Sequence, residues 1–392
     1  MIQHYPWLPS LNVYYSNIAS KSPIDFLSEV FTGVNSEEIY IRILDFFKAA
    51  FQNLEEFTNY KIDQLNVYLY LILKIFLYIL DNKMITNRIA NLYSKINYDE
   101  LLKEIDKQEY INIYEICGDI PLVIQYNETA WVFGRIILKD QETPLKTKFK
   151  IHYIDYLKLA IYLKDDYRKL VNNTLSNGFV LIEEKRLARL LQEYVRNRFK
   201  LDQETNKSSI DAFKRETFKV QKFKALYDTI QEEWTKKEEK FEYTFNFDFE
   251  KTKDISTIYP PCILEILKKA KEGQNLVHNE RLFLVWFLVA LKYPVDKIID
   301  IFSSIPDFNR EKTEYQVNFA VKKAYTPYKC SSLKSLNLCM AEKYNDDLCL
   351  EGYSSKNSKE KKKIPHPLTY VGIKDRSAKK KINYKQNNKN EQ

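Results

Sequence analysis

Four of the five cysteines lie in the last third of the chain and could together bind a metal centre. They are Cys262, Cys330, Cys339 and Cys349, with 67, eight and nine residues between successive members. Structural zinc sites usually contain close C-x2–4-C pairs, because a tight turn presents two thiolates to one ion. This chain has no such pair. The spacing leaves three interpretations open: an iron–sulfur cluster that takes one cysteine per iron, a zinc site, or unrelated buried cysteines.

The residues that follow Cys262 could bind phosphate. Pro261 predicts the first turn of a helix that ends at Gly273, so the Cys262 thiol would lie at the positive end of the helix dipole, which favours thiolate. A second helix is predicted to begin near His278, which shares a face with Arg281 beside free backbone N–H groups. A histidine at a helix start can equally be a cap or a solvated residue. Phosphate binding is therefore one of two interpretations for this segment.

A third predicted helix, residues 312–323, leads directly into Cys330 through the segment YTPYKC. It would bring Tyr315 and Gln316 close to the cysteine-containing loop. Tyr315 could stack on a base or pack in the core, and the sequence does not decide between them. The remaining cysteine, Cys117, is expected to be a small core residue.

The composition predicts a mainly α protein. Gly is scarce at seven residues, and 45% of the chain is apolar, which is enough to build substantial cores. Residues 22–105 carry apolar side chains at helical spacing. From about 110 to 153, short β-branched and aromatic runs broken by turn residues predict a small antiparallel β element inserted into the helical domain. Helices are predicted to resume at Ile154.

The chain is expected to contain two domains. A helical N-terminal domain covers residues 1–245, a linker 246–257, a helical C-terminal domain 258–372 and a basic disordered tail 373–392. Residues 356–392 carry a balance of +9, so the rest of the chain is close to neutral. Any nucleic-acid site in the body of the protein must therefore be a local patch.

A membrane location is not expected. The most hydrophobic segment, residues 64–80, is shorter than the ~20 residues that a span needs and contains Lys74 near its centre. We interpret it as a buried core helix. The N-terminus lacks the pattern of a secretory signal, so we expect a cytoplasmic protein, or a nuclear one in a eukaryote, with its thiols reduced.

Taken in order and spacing, these residues resemble the large subunit of archaeal and eukaryotic DNA primases. The first shared motifs are P-x-C, at Pro260–Cys262, and N-x-x-H-x-x-R with a later F-L, at Asn275, His278, Arg281, Phe287 and Leu288. They are followed by T-x-Y-Q, at Thr313, Tyr315 and Gln316, and by Y-T-P-Y-x-C, at Tyr325–Cys330. The last are two further cysteines, Cys339 and Cys349, and H-P-L, at His366–Leu368. The resemblance covers residues 258–370. The opening Tyr5–Pro9 is similar to the start of archaeal members. Only nine residues separate Cys339 from Cys349, fewer than in eukaryotic members.

This resemblance implies a subunit without a catalytic site of its own. The family's small subunit holds the catalytic carboxylates and docks on the helical N-terminal domain, for which Tyr153 and Tyr156 are candidate contacts. Cys262, Cys330, Cys339 and Cys349 would hold a [4Fe–4S] cluster in the C-terminal domain. The 5′-triphosphate of the initiating nucleotide or primer would bind Asn275, His278 and Arg281. Single-stranded DNA template or the initiating nucleotide would contact Tyr315 and Gln316.

Two rival functions remain at the level of sequence. One is a stand-alone nuclease with its own metal centre, although the sequence shows no compact set of carboxylates outside isolated pairs such as Asp346 and Asp347. The other is a cluster- or zinc-containing nucleic-acid-binding protein. Metal analysis separates zinc from iron–sulfur directly.

Overall fold

The computed structural model describes residues 3–52, 57, 60–138, 141–161, 163, 166–199, 207–245, 258–354 and 361–376. The chain divides into two compact units, Met1–Lys236 and Lys237–Gln392. Both are built mainly from helices, as predicted. The linker expected at 246–257 lies outside the described residues. No helix in the described part of the chain is both long enough and apolar enough to cross a membrane.

Unit 1 combines eleven described α-helices with a small sheet. The helices are α1 Leu11–Tyr14, α2 Ser16–Ala19, α3 Pro23–Thr32, α4 Ser36–Gln52, α5 Leu65–Leu80, α6 Lys83–Asp106, α7 Tyr110–Gly118, α8 Tyr153–Ala160, α9 Glu184–Asn197, α10 Lys207–Thr217 and α11 Gln221–Phe245, the last of which continues into unit 2. The strands are β1 Ile124–Leu138, β2 Gln141–His152, β3 Leu175–Ser176 and β4 Phe179–Ile182.

The aromatic core of unit 1 explains its helical packing. The apolar helix α5 is buried along most of its length, as predicted for residues 64–80. Its Phe76 contacts Phe47 of α4 and Phe223 of α11, with ring centroids 5.5 and 4.6 Å apart. The N-terminal segment joins the same core, because Trp7 is buried and its indole Nε1–H donates to Asn97 Oδ1 of α6 at 2.7 Å. A buried indole needs such a partner.

The sheet begins later than the sequence analysis predicted. Residues 110–118 form α7, because Ile113, Ile116 and Cys117 recur at helical spacing and bury one face. All strand pairs are antiparallel, in the order β1-β2-β4-β3. In β2, Phe149 and Ile151 are buried and alternate with the lysines of the other face. Strands β3 and β4 lie beyond the predicted β region, since two to four residues give too short a pattern to recognise.

Unit 2 contains further helices and one short hairpin within its described residues. They are α12 Pro261–Lys271, α13 His278–Ala290, α14 Val295–Phe302, α15 Arg310–Lys323, α16 Cys330–Ser335, α17 Asp347–Leu350, β5 Tyr353–Ser354, β6 Lys361–Lys362 and a last helix, α18, over residues 367–376. The prediction of a disordered tail from residue 373 onwards is therefore wrong for residues 373–376, which continue the helix that contains buried Tyr370 and Val371. The rest of that tail lies outside the described residues.

Helix α13 forms the centre of the core of unit 2. Phe283, Leu284, Phe287 and Leu288 are almost completely buried and repeat at helical spacing. Ile263 and Ile266 of α12 pack in the same core. Truncating a fully buried phenylalanine such as Phe283 to Ala typically costs about 3–5 kcal/mol of unfolding free energy. This core fixes the first turn of α12, where Cys262 lies.

Candidate functional site

The four C-terminal cysteines come from four separate chain segments of unit 2. Cys262 is the second residue of α12, as predicted, and it is buried. Cys330 begins α16, Cys339 follows that helix in a loop, and Cys349 lies in α17. The last three of these cysteines are half-buried. The fifth cysteine, Cys117, is buried in the core of unit 1, as expected.

The thiol of Cys262 interacts electrostatically with the thiols of Cys330, Cys339 and Cys349. Burial, together with the thiols of Cys330 and Cys339, raises the pKa of the Cys262 thiol to about 12. Backbone N–H groups at the helix start act in the opposite direction, as the dipole predicts, but burial outweighs them. The pKa of Cys349 is also raised, by burial, by Asp346 and by the thiols of Cys262 and Cys330. The helix start therefore acts on Cys262 in the predicted direction, but the net shift of the pKa is upward.

The arrangement of these thiols is not that of a compact chelate. Among the described residues, no three His, Cys, Asp or Glu side chains lie close enough together to hold a single metal ion. A tetrahedral zinc ion needs all its sulfur ligands about 2.3 Å away. A polynuclear cluster instead requires one thiolate at each of several iron atoms. The donor set, four thiols from separate segments that influence one another, is compatible with the second arrangement.

Asp346 holds the backbone beside Cys349. Its Oδ1 accepts the Cys349 backbone N–H at 2.9 Å and caps the short helix α17. The other carboxylate oxygen, Oδ2, accepts the hydroxyl of Tyr370 at 2.8 Å. Tyr370 is buried in α18. The carboxylate thus connects the Cys349 segment to the last described helix of the unit.

His366 holds the loop that leads into Cys330. Its Nδ1 accepts the Leu368 backbone N–H at 3.1 Å, so the ring hydrogen is on Nε2, which donates to the Pro327 carbonyl at 2.9 Å. The Cys330 backbone N–H donates to the Pro365 carbonyl at 3.1 Å. The H-P-L motif is therefore a structural clamp on the Y-T-P-Y-x-C motif.

Glu265 connects the helix of Cys262 to the segment between Cys339 and Cys349. Its two carboxylate oxygens accept from Lys343 Nζ and the Tyr344 hydroxyl, each at 2.7 Å. Burial opposes the charged form, but these hydrogen bonds outweigh it and leave the pKa of Glu265 below its ordinary value. Lys343 contributes more to this lowering than the Tyr344 hydroxyl does, but its exposed ammonium group is screened by solvent.

The predicted phosphate-binding residues lie together at the start of α13. Asn275 precedes the helix, and its buried Oδ1 accepts no hydrogen bond within the described residues. His278 is the first helical residue and is exposed. Arg281 donates from Nε to the Leu276 carbonyl at 2.8 Å, and from Nη2 to both oxygens of Asp307 at 2.8 and 2.6 Å.

Two carboxylates lie beside the predicted phosphate-binding residues at the start of α13. Asp307 pairs with Arg281, as described above. Glu280 accepts the Val277 backbone N–H at 3.0 Å and a hydrogen bond from Lys269 at 2.6 Å. An incoming phosphate would compete with Asp307 for the guanidinium. The acidic residues were not identified from the sequence, because ion pairing of this kind depends on loops that only the fold brings together.

Tyr315 and Gln316 lie on α15, where both are exposed. Tyr315 is 65% exposed, so the core-packing interpretation is wrong for it. Its ring stacks on Phe319, one helical turn later. Neither side chain is needed to fill the core of unit 2, and both are available to a ligand.

The two candidate docking tyrosines of unit 1 differ. Tyr156 is 2% exposed, and its hydroxyl donates to the Arg168 carbonyl at 2.9 Å. Tyr153 is 38% exposed at the start of α8, next to exposed Ile154 and Leu157. The structure therefore assigns Tyr156 to the core and leaves Tyr153 at the surface.

Comparison with known proteins shows what this chain is similar to. Residues 252–371 match the family model for the C-terminal domain of the large subunit of eukaryotic and archaeal DNA primase. The chain is 33% identical over 228 residues to the DNA primase large subunit of Methanococcoides burtonii, an alignment that covers 57% of this chain and 54% of that protein. It is 28% identical over 252 residues to the large subunit of Thermoplasma acidophilum, covering 63% and 65%. The chain thus spans about half to two thirds of the length of these relatives.

Proposed function

Because residues 252–371 match the family model for the C-terminal domain of the eukaryotic and archaeal DNA primase large subunit, we propose that the chain is the non-catalytic large subunit of a primase. It would bind template and the 5′-triphosphate of the initiating nucleotide, while a small subunit joins the nucleotides. The observation that carries this proposal is the family match of residues 252–371, a region that contains all four C-terminal cysteines.

The proposed cofactor is a [4Fe–4S] cluster held by Cys262, Cys330, Cys339 and Cys349. Four thiols supplied by four separate segments suit a polynuclear centre, in which each iron takes one thiolate, better than a single zinc ion. Such a cluster, when bound, would join the four segments and could exchange one electron. We assign it the architectural role, because it would join segments that lie up to 87 residues apart in the sequence, from Cys262 to Cys349. Ligand thiols must lose their protons on binding, which lowers affinity at acid pH.

The initiating nucleotide would bind at the start of α13. A triphosphate offers strong acceptors to the Arg281 guanidinium, to a ring N–H of His278 and to the side-chain N–H of Asn275. To bind phosphate, Arg281 must leave Asp307. That pair is partly exposed, so the exchange costs about 1 kcal/mol or less before the gain from phosphate.

The template would contact Tyr315 and Gln316 on α15. An exposed tyrosine ring can stack on an unpaired base, at about 1–3 kcal/mol per base, and an amide can donate to base edges. Holding the primer 5′ end on one unit while the small subunit extends it raises the effective concentration of the initiating nucleotide. The small subunit would dock on unit 1, with Tyr153 as the remaining candidate of the two tyrosines.

The test is primer initiation with the cognate small subunit on a single-stranded DNA template. The small subunit is assayed alone, with the full chain purified without oxygen, and with the Arg281→Gln variant. We expect the chain to increase dinucleotide formation and Arg281→Gln to reduce that increase about tenfold or more, since charged hydrogen bonds contribute about 1.5–3 kcal/mol. An Asp296→Asn variant, changed at an exposed carboxylate of α14, is the matched control. No stimulation by the intact chain, or metal-dependent cleavage of DNA by the chain alone, would contradict the proposal.

A further inference from the structure

A row of aromatic rings runs across the surface of unit 2. Tyr315 stacks on Phe319 with centroids 6.1 Å apart and ring planes 19° apart. Phe319 in turn lies 6.1 Å from Tyr325, and Tyr325 lies 5.0 Å from Trp286. The row therefore connects one face of α15, the loop that follows it and the side of α13.

Three of these rings are exposed although they are large and apolar. Tyr315 is 65%, Phe319 37% and Tyr325 39% accessible to solvent, whereas Trp286 is half-buried. Single exposed apolar side chains are ordinary, but a contiguous set marks a binding surface. The half-buried indole of Trp286 packs against the Tyr325 ring. The rings are thereby held in place before any ligand arrives, which lowers the entropy cost of binding.

The end of α15 brings the last ring into the row. Ala324 closes the helix with φ of 49°, in the left-handed region, which a residue other than glycine adopts at a cost. This conformation reverses the chain, so Tyr325 contacts both Phe319 and Trp286. If the helix continued past Ala324, the Tyr325 side chain would not contact Phe319.

The charge around the row is positive. Residues 315–341 contain four lysines, Lys322, Lys323, Lys329 and Lys334, and no aspartate or glutamate, while Glu311 and Glu314 precede Tyr315 on the same helix. Lys323 Nζ lies 5.8 Å from the centre of the Phe319 ring. All four lysine residues are exposed. In a chain whose body is close to neutral, this local excess of positive charge favours a polyanion as the ligand.

We propose that Tyr315, Phe319 and Tyr325 form a stacking surface for successive bases of a single-stranded nucleic acid, with the surrounding lysines on its phosphates. This inference rests on the proposed function and extends it, because it adds Phe319 and Tyr325 to the template contact. Aromatic rings on a basic surface bind unpaired strands with little sequence preference, since every base presents a flat face. The occupant is therefore a single strand of about three nucleotides or more, one for each exposed ring, rather than a duplex.

The test measures the affinity of the full chain for a fluorescently labelled oligothymidylate and for the same oligonucleotide with abasic positions at its centre. The variants are Phe319→Ala and Tyr325→Ala. Each should weaken binding of oligothymidylate about tenfold, because one stacked base contributes about 1–3 kcal/mol and about 1.4 kcal/mol is a factor of ten. Binding of the abasic strand should be weak in the parent protein and unchanged by either variant.

Val321→Ala is the matched control. Val321 is 45% exposed on the same helix, but it lies two residues from Phe319 and therefore on a different face. The Val321→Ala variant should bind both oligonucleotides with the affinity of the parent protein. Lys323→Gln should weaken the binding of both oligonucleotides to a similar extent, since it removes only a phosphate contact. Helical circular dichroism of every variant shows whether it has folded.

The outcomes separate this inference from the proposed function. Unchanged affinity for oligothymidylate in folded Phe319→Ala and Tyr325→Ala variants, while the parent chain still stimulates priming, would overturn the inference alone. Equal affinity of the parent protein for the abasic strand would also overturn it. If the variants bind DNA normally but lose the small subunit, the row is a protein interface and the inference is wrong. Failure to stimulate priming, with ring-dependent DNA binding intact, would overturn only the proposed function.

Discussion

The hydroxyl of Tyr370 donates a 2.8 Å hydrogen bond to Asp346 Oδ2, and the same carboxylate accepts the backbone N–H of Cys349. Tyr370 is 3% exposed, so this hydroxyl has little access to water. The pair therefore controls where the segment of the proposed fourth ligand lies. A buried acceptor that loses its donor costs about 1–3 kcal/mol.

Replacing Tyr370 with Phe keeps the ring and removes this hydrogen bond. We expect the unfolding free energy to fall by about 1–3 kcal/mol, and iron to be lost faster to a chelator, because the Cys349 segment is held less firmly. The measurement is urea unfolding together with the time course of iron release. Tyr293→Phe, which removes a hydroxyl bonded to Tyr259 in the same unit, is the control. Equal iron release by both variants would show that the Asp346 contact has no particular role at the cysteines.

His366→Ala should loosen the loop that carries Cys330. The substitution removes the donor to the Pro327 carbonyl and the acceptor of the Leu368 N–H, so we expect about 1–3 kcal/mol lower stability. Iron content after purification should fall with it. His4→Ala, at an exposed residue of unit 1, should change neither quantity. Full iron content and unaltered stability in His366→Ala would contradict the assignment of this motif as a clamp.

Asp307→Asn should strengthen nucleotide binding. The change removes the carboxylate that competes for Arg281, and since the ion pair is partly exposed we expect up to about a fivefold gain in affinity for a nucleoside triphosphate. Titration calorimetry with a nucleoside triphosphate measures it directly, with Asp296→Asn as the control. A weaker affinity in Asp307→Asn would mean that Asp307 positions Arg281 for the ligand instead of competing with it.

The depressed pKa of Glu265 predicts a pH-dependent contribution to stability. Its charged form is favoured in the folded state, so its contribution is fully present above the ordinary pKa of 4.5 and is lost as pH falls through the lower folded pKa. The difference in unfolding free energy between the parent protein and Glu265→Gln should therefore be largest at neutral pH and shrink below about 4.5. Urea unfolding across this range tests it. A difference that grows on acidification would reverse the sign and contradict the assignment.

Sequence patterns predicted the elements of unit 2 better than the contacts between them. Pro261 and the i, i+4 repeat around Phe283 identify α12 and α13, because local sterics and burial periodicity determine both. The β region was placed too early, since Ile113 to Cys117 suits a strand or a helix over so short a stretch. Asp307, Asp346 and Tyr370 could not be identified from the sequence. Each acts through a partner 24 to 26 residues away that only tertiary folding brings near.

The same limit applies to the chemistry of Cys262. The helix dipole was predicted to favour its thiolate, and the backbone N–H groups do act in that direction. Burial and the neighbouring thiols determine the outcome, and these depend on the packing of α12 against the rest of unit 2. The sequence thus indicated where the Cys262 thiol lies along the helix, but not the net direction of its pKa shift.

The cysteine site is tested most directly by the iron and acid-labile sulfide content of the full chain purified without oxygen. We expect about four irons and four sulfides per chain, with loss of both in Cys349→Ser and no loss in Cys117→Ser, whose cysteine lies in the core of unit 1. Zinc without sulfide, or the same iron content in Cys349→Ser as in the parent protein, would contradict the assignment of these four cysteines to an iron–sulfur cluster.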